Sequence, residues 1–201
     1  MSNPKINIEF SKELDPIFTA YVLSNPKWES FPIPSTESVL QRVKDLQNIW
    51  SEWGDKILTE MIDIVGHSFE ESVIDVHIVS VNPRPFAHPI VIRSGVNTKE
   101  FGGCDAEETI NIIVHELLHV LLPKKNKRLK EIWLHSKEKY QNNDNILVHY
   151  IIFTVMNEIY RRIGKTFSSE EMIKTEKNKE YARAKEMAVL DPEYILTFLN
   201  K

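Results

Sequence analysis

His115, Glu116 and His119 stand in this 201-residue chain in the order His-Glu-Leu-Leu-His. On a helix, positions i and i+4 share one face, a turn apart. Two imidazoles placed that way can hold one Zn²⁺ at about 2.0–2.1 Å each. Glu116 follows the first histidine and would sit beside the metal, where a general base for a zinc-bound water belongs. A pattern with so few fixed positions recurs by chance, so its surroundings must decide what it means.

The surroundings predict a helix. In the segment Cys104–Pro123, Asp105 is a good N-cap and Glu108 stands three residues on, the arrangement of a capping box. Ile110, Ile113, Val114, Leu117, Leu118, Leu121 and Leu122 wrap most of the helix in apolar side chains, so it is expected to be buried. Pro123 ends it, and Lys124, Lys125, Lys127 and Arg128 follow near the negative end of its dipole. Two histidines and a glutamate in a buried helix need compensation. A metal supplies it; hydrogen bonds alone are the plainer alternative.

A catalytic zinc takes three protein ligands and keeps one position for water. The third is expected from a second apolar helix, Asn145–Ile163, which follows a polar turn and precedes Gly164. It carries His149 and Glu158, nine residues apart and so about 180° apart around the helix. His149 shares its face with Ile152, Phe153, Met156 and Tyr160, and a buried imidazole there needs a partner. Glu158 faces Arg161 and Arg162 at helical spacing and can pair with them instead. His149 is the preferred ligand and Glu158 the alternative.

On His115, Glu116, His119 and the helix around them, the chain resembles the zincins, metallopeptidases built around an HExxH helix. The resemblance implies a small sheet before that helix and further helices after it. It also implies zinc-dependent hydrolysis of a peptide or protein substrate, with Glu116 as general base. The metzincin extension is absent, since Leu122 and Lys125 stand where Gly and His would be. Cys104 lies in the wrong surroundings for the deformylase pattern. Gluzincins take a downstream helical Glu as third ligand, often after Asn, and Asn157-Glu158 is similar. In zincins an edge strand before the HExxH helix often pairs with substrate. Here that role falls to Ile90, Val91 and Ile92 of the segment Ile90–Ser94, and to the glycine loop with Gly102 and Gly103, which permit close backbone approach. An ordinary tight loop is the alternative for the glycines. His67, His77, His88 and His135 are weaker ligand candidates; His135 and Tyr150 or Tyr160 are candidate oxyanion donors.

Further elements must position these residues. Residues 5–10 read as a short strand, and the segment around Pro16 as a short helix broken by that proline. Ser35 caps a helix over 35–65 whose Val39, Val43, Leu46, Trp50, Trp53, Ile57, Met61 and Ile64 repeat every three to four residues. Gly54 weakens its middle. Strands are expected within 72–81 and 89–94, joined by the loop Asn-Pro-Arg-Pro-Phe-Ala-His. An amphipathic segment near 127–140 precedes the ligand-bearing helix. Ser168 and Glu171 cap a helix over about 169–190, and Pro192 opens the last one. The expected fold is α+β: a single, mostly helical domain over 1–201, with a small sheet at 72–94, site helices within 105–163 and C-terminal helices within 168–201.

Bulk properties narrow the function. The net charge is −4, from 25 basic and 29 acidic residues, which argues against nucleic acid as the partner. The basic run at 124–130 reads as a solvated loop and helix start. The single cysteine, Cys104, permits no disulfide within the chain, which fits a reducing compartment. The polar N-terminus has no signal-peptide pattern, and no apolar run reaches the ~18 residues of a membrane span. A soluble, cytoplasmic zinc peptidase is therefore expected. A hydrolase of a non-peptide amide and a non-catalytic zinc or regulatory module are the rivals.

Overall fold

The computed structural model describes residues 3–26, 28, 31–96, 103–122, 127–140, 143–165 and 178–199; for 127–130 and 139–140 it describes the backbone alone. The fold is α+β and mostly helical, with one small sheet. Two compact units make up the chain, one of Met1–Asp55 and Phe69–Val120, the other of Lys56–Ser68 and Leu121–Lys201. Among the described residues, no helix is long and apolar enough to cross a membrane.

The first unit holds the sheet. Strands β1 (Lys5–Phe10), β2 (Val73–Val79), β3 (Phe86–Ala87) and β4 (Ile90–Arg93) lie in the order β1-β2-β4-β3. Alternation along β2 buries Ile74, Val76 and Ile78 and leaves Val73 and Asp75 open, the period-2 signature of a strand covered on one face. The register aligns Ile8, Val76 and Ile90 across three parallel strands, and then Phe10, Ile78 and Ile92. Parallel pairing of β1 with β2 requires a crossover. Helices α1 (Asp15–Leu23) and α2 (Thr36–Val65) provide it.

Pro16 does not break α1; it lies in the first turn. A missing N–H costs nothing there, because first-turn N–H groups have no intrahelical acceptor. Asp15 Oδ1 accepts from Ser80 N at 2.5 Å, which ties the start of α1 to the end of β2. Ser35 caps α2 as expected, its Oγ accepting from Ser38 N at 3.2 Å. Gln47 then donates from Nε2 to Ile8 O, joining α2 to β1. A Cβ on Gly54 would come within 2.5 Å of the Trp50 indole, so the glycine makes room for that ring.

The loop expected between the two central strands contains β3, which pairs antiparallel with β4 at Phe86↔Val91 and Ala87↔Ile90. This corrects the view of 90–94 as a free edge. Ile90 and Val91 have neighbours on both sides, β2 and β3, and Ile90, Val91 and Ile92 are all buried. Their backbone groups are already committed at Ile90 and Val91, so these two cannot add a substrate strand.

The second unit is helical. Helix α5 (Asp144–Arg162) is buried over most of its circumference and packs against α4 (Lys127–Tyr140), α6 (Lys179–Leu190) and α7 (Pro192–Leu199). Asn143 caps α5 by accepting from Ile146 N at 2.9 Å. At its other end Gly164 has φ +74°, and Lys165 N donates back to Tyr160 O, which closes the last turn. Tyr150 Oη donates to Asp191 O, fastening α5 to the junction of α6 and α7. The expected helix over 169–190 does not run unbroken. Asn178 is extended and caps α6 by accepting from the N–H groups of Glu180 and Tyr181. The proposed cap at Ser168 and Glu171 lies outside the described residues.

Candidate metal site

The site is built on helix α3 (Ala106–Leu121). Its first turn is fixed by the predicted reciprocal pair: Glu108 N donates to Asp105 Oδ1 at 2.8 Å, and Asp105 N to Glu108 Oε2 at 3.0 Å. Just before it, Gly95 adopts φ +71°, and a Cβ there would lie 2.6 Å from Cys104 Sγ. Cys104 N donates to Gly95 O, Cys104 Sγ lies 3.3 Å from Thr109 Oγ1, and Arg42 donates to Cys104 O. The cysteine is thus a packing element at the entry to α3. Ile113, Val114, Leu117 and Leu118 are fully buried, so α3 is held by its apolar surface with its histidines fixed in direction. At the last turn, His67 Nε2 donates to Leu121 O at 2.6 Å.

Helical spacing brings His115 and His119 edge to face, with ring centroids 4.9 Å apart and the two Nε2 atoms 3.2 Å apart. Among the described residues, one group could hold a metal ion: His115, His119 and His149, whose ligand atoms all lie within 4.8 Å of one another. Two nitrogens bound at about 2.0–2.1 Å to one tetrahedral ion are about 3.3 Å apart. The His115–His119 spacing fits that value. The donor set fits as well, since neutral imidazole is a ligand for first-row divalent ions. His149 Nδ1 lies 2.7 Å from Asn145 O. A carbonyl can only accept, so Nδ1 carries the proton and the buried Nε2 has the lone pair a metal needs. Burial pulls the His149 pKa down, against the Asn145 carbonyl and the Glu180 charge, and so favours the neutral ring.

Glu158 is placed differently. Its carboxylate accepts from Arg161 at 2.7 Å and from Arg162 at 2.8 Å, and hydrogen bonds from these arginines, Arg161 foremost, hold its pKa down to about 2. Arg162 also reaches Glu60 and Asp63. Glu158 is part of an ion-pair network and not of the histidine cluster.

Glu116 is 4 % exposed, and among the described residues its carboxylate has no hydrogen-bond partner. Burial alone pushes its carboxyl pKa up to about 7. Gly103 is half-buried before α3, while Gly102 lies outside the described residues. Among the remaining histidines, His77 lies in β2 at 3.7 Å from Glu9, His88 is exposed, and His135 stacks on Phe198. Tyr150 is not an available oxyanion donor, because its hydroxyl proton goes to Asp191 O. Sequence reasoning passed over Tyr181 and Glu180, which lie against the His149 turn. The signal was Asn178, a good N-cap residue that starts a helix just before them. No protein-family model, curated protein or solved structure matches the chain.

Proposed function

We propose that this protein is a zinc-dependent hydrolase of peptide bonds, of the zincin type that its HELLH helix resembles. One observation carries the reading: three imidazoles from two helices have their ligand atoms within 4.8 Å of one another, and the residue that follows the first of them in sequence is a buried glutamate. His115, His119 and His149 would hold the ion through their imidazole nitrogens. When bound, zinc would supply Lewis acidity, polarising a carbonyl and acidifying water. Glu116 follows the first ligand in sequence, and its carboxylate oxygens would accept the proton of the attacking water and return it to the leaving nitrogen. The buried apolar surface of α3 keeps His115, Glu116 and His119 in one arrangement along that helix.

Elemental analysis of purified wild type, His149→Ala and Glu158→Ala, each checked for folding, tests the reading. We expect about one zinc per chain in wild type and in the Glu158 variant, and loss of zinc in the His149 variant. Retention in His149→Ala with loss in Glu158→Ala would make Glu158 the third ligand. A wild type that takes up no zinc even when it is supplied would end the hydrolase reading. With zinc bound, cleavage of a mixed peptide library separates a peptidase from a hydrolase of other amides, whose rate would not depend on peptide length.

A further inference from the structure

The first turn of α6 is fastened to the turn of α5 that carries His149. Glu180 accepts hydrogen bonds from the side chains of Asn143, at 2.7 Å, and Asn145. Asn143 is the N-cap of α5, and Asn145 supplies the carbonyl that receives His149 Nδ1–H. The adjacent residue, Tyr181, lays its ring on the His149 imidazole, with centroids 4.3 Å apart and planes at 35°. Phe153, one turn further along α5, closes the group, 5.8 Å from Tyr181 and 6.0 Å from His149. Asn178 in turn fixes Glu180 and Tyr181 by accepting from both of their N–H groups.

We infer that Glu180 and Tyr181 are positioning residues for His149, holding its ring in the Nδ1–H tautomer with Nε2 presented as a metal ligand. Glu180 acts through Asn145. With that side chain gripped, the first turn of α5 cannot unwind, and the Asn145 carbonyl stays aimed at Nδ1. Tyr181 acts by contact, blocking rotation of the ring about its Cβ–Cγ bond. A histidine ligand whose second nitrogen is bonded to a fixed acceptor is pre-oriented, and loss of such outer support typically weakens metal binding about 10–100-fold.

The inference rests on the proposed metal site, but part of its test does not need the metal. The variants are Glu180→Gln, Tyr181→Leu and Tyr181→Phe in the full chain, each confirmed as folded by circular dichroism. In metal-free protein at mildly alkaline pH, ¹⁵N–¹H correlation spectra of the imidazoles report the His149 tautomer. We expect the Nδ1–H form in wild type and in Tyr181→Phe, and a mixture in Glu180→Gln and Tyr181→Leu. Competition with a chromogenic chelator then gives zinc affinity, expected to fall about tenfold or more in the latter two and to hold in Tyr181→Phe. An unchanged tautomer in both Glu180→Gln and Tyr181→Leu would overturn the inference. So would Tyr181→Phe behaving like Tyr181→Leu, since the retained ring should suffice. If wild type binds no zinc but the tautomer shifts, the positioning role stands and the metal reading falls.

Discussion

Glu116 and Glu158 show how environment assigns opposite work to the same side chain. Glu158 has two arginines within hydrogen-bonding distance and stays ionised far below neutral pH. Glu116 has no charged partner among the described residues, and its burial makes ionisation costly. Retaining an uncompensated carboxyl in a helix core costs stability, which chemistry at that position would explain. Glu116→Gln keeps the shape and removes the proton acceptor. We expect it to bind zinc like wild type and to lose peptide hydrolysis by about 10²–10⁴-fold. Equal initial rates for the metal-loaded variant and wild type on the same peptide library would remove Glu116 from the reaction. His115, Glu116 and His119 were legible in the sequence because one helical turn fixes their spacing. The choice between His149 and Glu158 was less so: both sit on one apolar helix, and only the tertiary structure shows where each side chain goes.

At the scale of elements, α3 depends on how the chain enters it. Gly95 turns with positive φ so that Cys104 can pack against its bare Cα. Alanine at 95 would combine an unfavourable backbone conformation with a 2.6 Å overlap on Cys104 Sγ. We expect Gly95→Ala to destabilise the protein by about 2–4 kcal/mol, measured as a lower urea unfolding midpoint. Adding Cys104→Ala should recover part of that loss, since it removes the overlapping sulfur and leaves the backbone cost. No recovery would mean that the sulfur contact is not what the glycine serves. Elements set by local chemistry were readable: the Asp105–Glu108 box, the Ser35 cap, the alternation of β2 and Gly164 after α5. What escaped notice was set by distant partners or by very short segments. The two-residue strand β3 is too brief to show a period, and Asn178, the N-cap that marks the start of α6, stands among residues that themselves favour helix.

For the molecule as a whole, the second unit carries an acid-sensitive tie. Arg162 bonds Glu158, Glu60 and Asp63, joining α5 to the final turns of α2 within that unit. The Glu158 carboxyl is depressed from its ordinary 4.5 to about 2 in the folded protein. A depressed carboxyl stabilises the fold above its unfolded pKa, and that contribution disappears as pH falls through the folded value. Wild type should therefore lose stability between about pH 4.5 and pH 2 more steeply than Glu158→Gln. At neutral pH the variant should be less stable by about 1–2 kcal/mol. Urea midpoints at a series of pH values test this: a gap between the two proteins that stays constant down to pH 2.5 would exclude Glu158 as its source.

The parallel register of the sheet has a consequence for synthesis. Asn7 of β1 faces Asp75 of β2, 68 positions further along the chain. At about 5–20 residues per second, a ribosome needs roughly 3–14 s to deliver that partner. For that interval Ile6, Ile8 and Phe10 have left the tunnel with no strand to pair with, while α1 and α2 are still being made. The nascent chain thus presents a short apolar segment before its complement exists, and chaperone capture of that segment would be most productive in this window.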